Sequence, residues 1–457
     1  MSECDFDVVV IGAGPVGEVC AGRLAEHGCR VAIVERDLVG GECSFYACMP
    51  SKALLLPAQV LAEARRLPGA AQAAVGELDV AAVLARRDEV VHGLDDGAQL
   101  PWLQERGVVL YRGHGALAGE RAVSVGSDLL HARRAVVLAC GSAAALPPIP
   151  GLREARPWTN REATTAAAVP ASLLVLGGGV SGVELAQAYT SLGARVTVIE
   201  ALDRLIAGEE EFASEQVLVA LQDAGVEVVL GRKAVAVRRD GGPVTVELQD
   251  GSSRTAEELL VAVGRQPHTE ALGLEALSLK PGRPVAVDET LRVSGHDWLY
   301  AVGDVNGRAL LTHMGKYQAR LAADHILGRA TPGGLCFDGA RSPRVIFTEP
   351  QVAAVGHTLR AARAAGLEVR AVDHPTQDSA GGRFVGREAP GTVRLVVDVE
   401  RRVLVGATFT GVEVGEQLHA ATIAIAAEVP LERLWQAVPC FPTRSEVWLS
   451  LLEEYGL

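Results

Sequence analysis

Two cysteines stand close together near the N-terminus of this 457-residue chain, in the segment GGECSFYACMPSKALL. Four residues separate Cys43 from Cys48, and Pro50 and Lys52 follow. Such a pair can act as redox thiols or pack as inert side chains. On a regular helix, residues five positions apart rise about 7.5 Å, which exceeds the ~7 Å between Cα atoms that a disulfide tolerates. If the two cysteines bond, we expect a non-helical or distorted segment, and Pro50 is consistent with one.

Two glycine-rich turns have the spacing of dinucleotide sites. In the first, Gly12, Gly14 and Gly17 form G-x-G-x-x-G directly after the apolar run VVVI. The first glycine permits the tight turn, the second admits a pyrophosphate, and the third lets the helix pack on the strand, while the helix N-terminus faces the anion. Glu35 ends the next strand-like run, RVAIVE, where a carboxylate can accept hydrogen bonds from ribose hydroxyls. Together these features predict a nucleotide site.

The second turn repeats this plan with Gly177, Gly179 and Gly182, and Glu200 ends the run ARVTVIE. A carboxylate at this position repels a 2′-phosphate, so NADH is favoured. Arg204 lies nearby in the sequence and keeps NADPH open as an alternative. Two dinucleotide sites in one chain predict electron transfer between two bound cofactors, for which FAD and a nicotinamide are the economical pair.

The elements that must position these residues alternate between apolar strands and Ala- and Leu-rich helices, which predicts an α/β protein with parallel sheets. Near residue 334 the pattern changes, and GTVRLVVDVERRVLVGATFTG alternates in the manner of antiparallel strands. We predict one nucleotide-binding domain over 1–149 and 267–333 and a second over 150–266. A separate C-terminal domain is predicted over 334–457.

Composition excludes several classes of partner. The net charge is −13, whereas nucleic-acid binding relies on clustered Lys and Arg. No apolar run reaches the ~18 residues of a membrane span, and the N-terminus does not resemble a signal peptide. Eight cysteines in so long a chain indicate no secreted disulfide framework. We therefore expect a cytoplasmic protein without a metal site, in whose reducing surroundings a cysteine pair is more often catalytic than structural.

The segment GGECSFYACMPSKALL resembles the active-site segment of the flavoprotein pyridine nucleotide–disulfide oxidoreductases. That family includes dihydrolipoamide dehydrogenase, glutathione reductase and mercuric reductase. YAVGD, LTHMGKYQAR and PRVIFTEPQVAAVG are also similar to family segments, and the resemblance covers almost the whole chain. It implies an α/β fold with two Rossmann-like domains, for FAD and NAD(P), plus a C-terminal α+β dimerisation domain, in a homodimer.

The resemblance also implies roles for single residues. Cys43 would be the interchange thiol that meets the substrate, and Cys48 the charge-transfer thiol against the flavin. Lys52 would lie beside the flavin, paired with Glu184, and Asp304 would bind the ribityl chain of FAD. Further cofactor-binding positions implied in this way are Arg36, Gly41, Glu42, Gly115 near the adenine, Gly141, Gly264 and Thr312.

The C-terminal segment VPCFPTRSEVWLSLLEEYGL departs from the family pattern. The family has His-Pro-Thr, two more residues and Glu, and the His, supplied across the dimer interface, is the acid–base of thiol–disulfide exchange. Here Pro442, Thr443 and Glu446 match, but Phe441 occupies the His position, and no histidine follows His419. A positioned acid–base typically contributes about 10²–10⁴-fold in rate, so we do not predict rapid reduction of lipoamide or glutathione disulfide.

Phe441 would also dry the site and raise the pKa of Cys43. We predict that electrons pass from NADH through flavin to the Cys43–Cys48 pair, and on to a small acceptor that needs little proton transfer from the protein. A strained disulfide, a thioether or another electrophile would suit. Cys440 is either a third thiol near Cys43 or, as we favour, a small buried residue. A mercuric reductase is disfavoured because the sequence ends EEYGL, without a cysteine pair.

Two alternatives stay open. A diaphorase would pass electrons from flavin directly to quinones or oxygen and leave the thiols idle. A flavoprotein subunit with a structural or binding role would need neither the cysteine pair, nor Lys52, nor two nucleotide turns. We therefore favour the disulfide oxidoreductase.

Overall fold

The computed structural model of the chain describes residues 3–329, 334–386, 389 and 391–457. Its strands, in chain order, are β1 Glu3–Ile11, β2 Val31–Glu35, β3 Val109–Arg112, β4 Gly115–Gly119, β5 Ala122–Val125, β6 Asp128–Leu138, β7 Ser142–Ala144, β8 Ser172–Leu176, β9 Arg195–Ile199, β10 Glu227–Val229, β11 Ala234–Arg239, β12 Val244–Leu248, β13 Ser253–Ala256, β14 Glu258–Val261, β15 Arg265–Pro267, β16 Leu299–Ala301, β17 Arg344–Ile346, β18 Gln351–Gly356, β19 Val369–Pro375, β20 Thr392–Asp398 and β21 Val403–Gly411.

The α-helices, in the same order, are α1 Pro15–Glu26, α2 Gly41–Phe45, α3 Cys48–Arg66, α4 Val80–Val90, α5 Leu100–Glu105, α6 Asn160–Thr165, α7 Val180–Ser191, α8 Glu211–Asp223, α9 Thr312–Ile326, α10 Leu359–Ala364, α11 Ala380–Arg383, α12 Val414–Ala426, α13 Leu431–Leu434 and α14 Val447–Tyr455. Within the described ranges, no helix is both long and apolar enough to cross a bilayer.

The chain divides into two compact units. The first comprises Met1–Pro50, Arg86–Ala145 and Arg265–Gly339, and the second comprises Ser51–Ala85, Leu146–Gly264 and Ala340–Leu457. The domain boundary predicted after residue 333 adjoins residues 330–333, which lie outside the described residues. The division into three domains therefore stays a prediction.

The first unit is built on a sheet in the order β3-β2-β1-β6-β5-β4, with β16 beside β6. β1 runs parallel to β2 and β6, because the chain returns through α1 after the glycine-rich turn. Residues 8–10 of β1 are fully buried, as expected for a parallel strand with both faces covered. Helices α1 and α9 pack against each other, and Arg23 and Asp324 pair across them at 2.7 Å.

The second unit holds a second parallel sheet, in the order β10-β9-β8-β14, and a small antiparallel sheet, β11-β12-β13. Its C-terminal part is a five-stranded antiparallel sheet in the order β17-β18-β21-β20-β19. β21 is buried along its whole length. The ring of Phe409 in β21 lies 6.1 Å from that of Trp448 in α14, whereas the next residue, Thr410, donates a hydrogen bond to Gln216 of α8 at 2.6 Å. Successive strand residues point to opposite faces, so both faces of β21 are covered.

Candidate active site

The first glycine-rich turn joins β1 to α1, and one of its three glycines has room for a Cβ. A Cβ on Gly12 would lie 2.4 Å from the carbonyl oxygen of Ala139, and one on Gly17 would lie 1.9 Å from that of Gly12. The packing of the turn itself therefore requires these two glycines. Among the described residues, a Cβ on Gly14 would meet nothing closer than the Cα of Gly41, at 3.9 Å. Gly14 thus keeps clear the N-terminus of α1, where a pyrophosphate binds in such turns.

Glu35 is held in place by two backbone groups. The N–H of Ala13 donates to its Oε2 at 2.7 Å, and the N–H of Asp37 donates to its Oε1 at 2.8 Å. Nη2 of Arg36 lies 3.2 and 3.3 Å from the two ring nitrogens of His268. These side chains line a pocket of about 290 Å³, together with Gly12, His114, Gly115 and Cys140. Its carboxylate, cation and imidazole ring fit the adenosine part of FAD.

Asp304 lies in a polar cluster of the first unit. Ser142 donates to Oδ2 of Asp304 at 2.5 Å and accepts from Nε of Arg265 at 2.6 Å. Arg265 also lies 3.6 Å from Asp304 and 3.7 Å from Glu42. Burial raises the pKa of Asp304, and the Ser142 hydroxyl and Arg265 oppose that rise. A carboxylate fixed in this way can accept hydrogen bonds from a polyol chain such as ribityl.

The cysteine segment is broken between its two thiols. α2 ends at Phe45, Tyr46 has a non-helical conformation, and α3 begins at Cys48. The predicted distortion is therefore present, between Phe45 and Cys48. Pro50 follows it and lies in the first turn of α3. The eight cysteines all fall within the described ranges, and none forms a disulfide.

Cys43 and Cys48 are hydrogen-bonded thiols beside α9. The Sγ of Cys48 lies 3.5 Å from Oγ1 of Thr312, the first residue of α9. The pKa of Cys43 is raised, chiefly by its hydrogen bond with Cys48 and then by burial, whereas Thr312 and Lys316 lower it. The direction agrees with the sequence-based expectation. The causes within this chain, however, are Cys48 and burial, and the expected drying by Phe441 is not among them.

The glycines of the second turn, between β8 and α7, pack in the same way as those of the first. A Cβ on Gly177 would lie 2.5 Å from the carbonyl oxygen of Ala262, and one on Gly182 would lie 1.9 Å from that of Gly177. A Cβ on Gly179 would have no described atom within 4 Å. The surface at the N-terminus of α7 is therefore open to a second pyrophosphate. Gly264 follows β14 with a φ of +132°.

Glu200 repeats the arrangement of Glu35. Its Oε2 accepts from the N–H of Gly178 at 2.6 Å, and its Oε1 accepts from that of Leu202 at 2.8 Å. Arg204 donates to the carbonyl oxygens of Ala207 and Glu209 at 2.6 and 3.0 Å, and to Oγ of Ser214 at 3.1 Å. The guanidinium of Arg204 is thus engaged inside the protein.

Lys52 and Glu184 form an ion pair in the second unit. Nζ of Lys52 lies 2.7 Å from Oε2 of Glu184, whose side chain is only 4% exposed. The N–H of Phe347 donates to the other carboxylate oxygen at 2.9 Å, and the Lys52 ammonium lies 4.7 Å from the centre of the Phe347 ring. Because Glu184 is buried and fixed by Phe347, it holds the lysine in one position.

The C-terminal segment that departs from the family pattern lies in the second unit. Phe441 is 77% exposed in the single chain, and Cys440 is also exposed. Cys440 is therefore not the buried residue that we favoured, within one chain. One carboxylate oxygen of Glu446 is buried and has no hydrogen-bond partner among the residues that the structure describes. The roles of Phe441, Cys440 and Glu446 in a partner's site stay predictions.

Four side chains of the first unit were not singled out from the sequence, although each lies at or near a predicted motif. Ser142 follows Gly141, which has a φ of +67°, and Arg265 follows Gly264. Glu18 directly follows the third glycine of the first turn, and Lys316 lies within LTHMGKYQAR. Adjacency to a predicted glycine or motif was the signal that could have identified them.

Comparison with known proteins identifies the same family along the chain. The family model "Pyridine nucleotide-disulphide oxidoreductase" matches residues 6–321, and the dimerisation domain of that family matches residues 342–451. The chain is 32% identical to a dihydrolipoyl dehydrogenase of Haloferax volcanii, over 98% of this chain and 95% of that one. It is 29% identical to a mercuric reductase of Staphylococcus aureus, over 97% of this chain and 81% of that one.

Solved structures agree with this assignment. The HOCl-induced flavoprotein disulfide reductase RclA of Escherichia coli superposes with a TM-score of 0.86 at 25% identity, over 98% of this chain and 99% of that one. LpdA of Mycobacterium tuberculosis shares the fold with a TM-score of 0.87 at 24% identity, over 99% and 100% of the two chains. With two dinucleotide turns, a cysteine pair and both family domains in place, the chain belongs to the pyridine nucleotide-disulphide oxidoreductases and is an FAD-dependent enzyme of that family.

Proposed function

We propose that this enzyme oxidises NADH and passes the electron pair through Cys43 and Cys48 to a small electrophilic acceptor, without a histidine acid–base from the C-terminal segment. The observation that carries the proposal is the hydrogen-bonded pair of thiols, with Thr312 Oγ1 3.5 Å from Cys48. FAD, when bound, supplies the transfer of the electron pair from the nicotinamide to the disulfide form of the pair.

The protein's own residues give the two thiols different surroundings. Cys48 is the first residue of α3, where the partial positive charge of the helix N-terminus favours a thiolate. The hydroxyl of Thr312 can donate a hydrogen bond to that thiolate. Cys43 lies in the short helix α2, away from the N-terminus of α3, and its pKa is raised although the Thr312 hydroxyl also lowers it. This difference supports Cys48 as the thiolate kept inside the site and Cys43 as the thiol that meets the acceptor.

The contacts of the second turn support NADH as the electron donor. A 2′-phosphate would meet the Glu200 carboxylate, which two backbone N–H groups hold in place. Arg204 was the residue in the sequence that left NADPH possible as the donor. Its guanidinium donates instead to two backbone carbonyl oxygens and to the hydroxyl of Ser214. The carboxylate therefore acts without a compensating cation from Arg204.

The acceptor is proposed only by class. Dihydrolipoyl dehydrogenases and mercuric reductases match this chain at similar identity, between 28% and 33%, so identity does not choose between their substrates. The segment that supplies a histidine in the family carries the exposed Phe441 here. A strained disulfide, a thioether or another electrophile agrees with that apolar surface. A homodimer, supported by the dimerisation domain, is the expected assembly.

The proposal is tested by anaerobic titration of the FAD-loaded enzyme with NADH, followed by thiol labelling and the absorbance spectrum. We expect one equivalent of NADH to release the thiols of Cys43 and Cys48 and to produce a long-wavelength absorbance band. Cys48→Ser should abolish the band, whereas Cys336→Ser, at an exposed cysteine elsewhere, should retain it. Flavin bleaching without released thiols, at full turnover in Cys43→Ser, would contradict the proposal and favour a diaphorase.

A further inference from the structure

We propose that Glu18 transfers the proton of Cys43 during thiol–disulfide exchange and that Lys316 stabilises the negative charge, in place of the histidine that the C-terminal segment lacks. Glu18 accepts and returns the proton, and the Lys316 ammonium pairs with whichever group is negative. This inference rests on the proposed function, because it needs Cys43 to exchange with an acceptor disulfide.

The first support is the convergence of three helix N-termini in the first unit. A Cβ on Gly41, at the start of α2, would lie 2.8 Å from the Cα of Gly14, at the start of α1. A Cβ on Gly315, in the first turn of α9, would lie 2.5 Å from Cγ2 of Val16 in α1. α1 is therefore in close contact with both α2 and α9 at the turn that carries Glu18.

The second support is the position of the three functional groups on these helices. Glu18 is four residues after Gly14, which places it on the face of α1 that meets α2 at Gly41, and Cys43 is two residues after Gly41. Lys316 directly follows Gly315 and lies one turn after Thr312, the residue that contacts Cys48. The carboxyl, the ammonium and the thiol thus come from the first two turns of neighbouring helices.

The third support is electrostatic, because Lys316 acts on both acidic groups. It lowers the pKa of Cys43 and also that of Glu18. Burial outweighs it at Glu18 and raises the pKa of this half-buried carboxyl to about 7, with a smaller contribution from the carboxylate of Glu35 at the end of β2. Cys48, from α3, raises the pKa of Cys43. A carboxyl that titrates near neutral pH can both accept and donate a proton under working conditions.

The charge of the cluster explains why a lysine between two acids is effective. When Cys43 is a thiol and Glu18 is a carboxylate, the ammonium of Lys316 neutralises Glu18. When the proton has moved to Glu18, the same ammonium neutralises the Cys43 thiolate. The net charge is equal in both states, so the transfer requires no new countercharge in a half-buried site.

The exchange balances in two steps with an acceptor R–S–S–R′. Cys43 gives its proton to Glu18 and attacks one sulfur. The S–S bond of the acceptor breaks, and a new S–S bond joins Sγ of Cys43 to the sulfur of R–S. The departing R′–S⁻ takes the proton from Glu18. The Cys48 thiolate then attacks the Sγ of Cys43, and the departing R–S⁻ takes a proton that Glu18 has accepted from solvent. The dithiol is oxidised to a disulfide, the acceptor is reduced to two thiols, and the NAD(P)H-dependent activity restores the dithiol.

The test uses FAD-loaded enzyme that has been reduced with dithiothreitol and freed of it, so that it does not depend on NADH. Single-turnover exchange is measured with an alkyl disulfide, whose leaving thiolate is strongly basic, and with an aryl disulfide, whose leaving thiolate is weakly basic. In Glu18→Gln we expect exchange with the alkyl disulfide to slow by about 10²-fold, because a general acid is lost. Exchange with the aryl disulfide should stay within about threefold, because a weakly basic thiolate leaves unaided.

A second readout is the pH dependence of Cys43 alkylation by iodoacetamide, located by mass spectrometry. Glu18→Gln should move the midpoint of Cys43 alkylation to lower pH by about one unit. Without the Glu18 carboxylate, the Lys316 ammonium stabilises only the Cys43 thiolate. Lys316→Met should move it to higher pH. Glu18→Asp should restore part of the alkyl-disulfide rate, and Glu26→Gln, at the exposed end of α1, should behave as wild type.

A merely structural role of Glu18 would slow both disulfides equally and would not speed alkylation at neutral pH. Equal slowing, or wild-type rates with both disulfides, would overturn the inference. Failure of the wild-type thiols to react with either disulfide or with iodoacetamide would instead overturn the proposed function, whose acceptor is an electrophile. The two failures are therefore distinguishable.

Discussion

At the scale of single residues, the position of Glu200 leads to a prediction about the electron donor. Glu200→Ala removes the carboxylate that would face a 2′-phosphate, while Arg204 keeps its contacts within the loop. We expect kcat/KM for NADPH to rise relative to NADH by about tenfold or more, since a like charge opposite a phosphate disfavours binding strongly. Steady-state kinetics with both nucleotides measures this ratio.

The matched control for this change is Glu215→Ala, at an exposed carboxylate of α8. It alters the net charge of the same unit by the same amount and should leave the nucleotide ratio unchanged. An equal change in both variants would show that the effect comes from overall charge and would contradict a local role for Glu200.

The sequence was sufficient for those residues whose function requires a local pattern. Gly12, Gly17 and Glu35 are dictated by the geometry of a single turn, and the structure places them as the spacing predicted. Glu18 and Lys316 are 298 positions apart, from residue 18 to residue 316, and no local pattern links them. Only the packing of α1 on α9 brings them together, and therefore the sequence did not reveal the pair.

At the scale of elements, the two glycine-rich turns permit a paired experiment. A Cβ on Gly14 would make only an ordinary contact with Gly41, and one on Gly179 would meet no described atom, so alanine fits the protein at either position and obstructs only a ligand. We expect Gly14→Ala to fold but to bind FAD about tenfold or more weakly. Gly179→Ala should retain FAD and raise KM for NADH by a similar factor. Flavin content, circular dichroism and steady-state kinetics distinguish these outcomes.

The third glycine provides the contrasting control. A Cβ on Gly17 would lie 1.9 Å from a backbone oxygen, so Gly17→Ala should lower the yield of folded protein whether or not flavin is added. If Gly14→Ala fails in the same way, its glycine serves the turn and not the ligand.

Two elements show where sequence patterns succeed and where they stop. The break between α2 and α3 was predictable, because two cysteines at this spacing cannot bond on a regular helix. The alternation in the C-terminal sequence predicted antiparallel strands, and β21 is antiparallel to β18 and β20. Its burial along the whole length was not predictable, since α14 and α8 cover its two faces from distant parts of the sequence.

At the scale of the molecule, a buried ion pair joins the segment after β9 to the C-terminal sheet within the second unit. Arg394 of β20 pairs with Glu210 at 2.9 Å and with Asp373 at 2.6 Å. Glu210 has a side chain only 6% exposed, whereas that of Asp373 is 43% exposed. Asp373 raises the pKa of Arg394 most, but water screens that exposed pair, so we assign the larger contribution to stability to Glu210.

Arg394→Met should therefore destabilise the enzyme by about 3 kcal/mol, because it leaves Glu210 buried without its cation. Asp373→Asn should change stability by about 1 kcal/mol or less, because that pair is screened. Thermal unfolding of the FAD-loaded enzyme compares the two. Equal losses would mean that the exposed pair contributes as much as the buried one and would contradict this assignment.

The break between α2 and α3 has a mechanical consequence for the whole catalytic cycle. In each turnover the two sulfur atoms must move from hydrogen-bonding distance to the ~2.05 Å of a covalent bond and back again. Tyr46 and Ala47 separate the two helices and can absorb this displacement through their backbone torsions. These two residues let the distance between the sulfur atoms change while α2 and α3 keep their helical structure. The Cys43–Cys48 disulfide can therefore be formed and broken repeatedly.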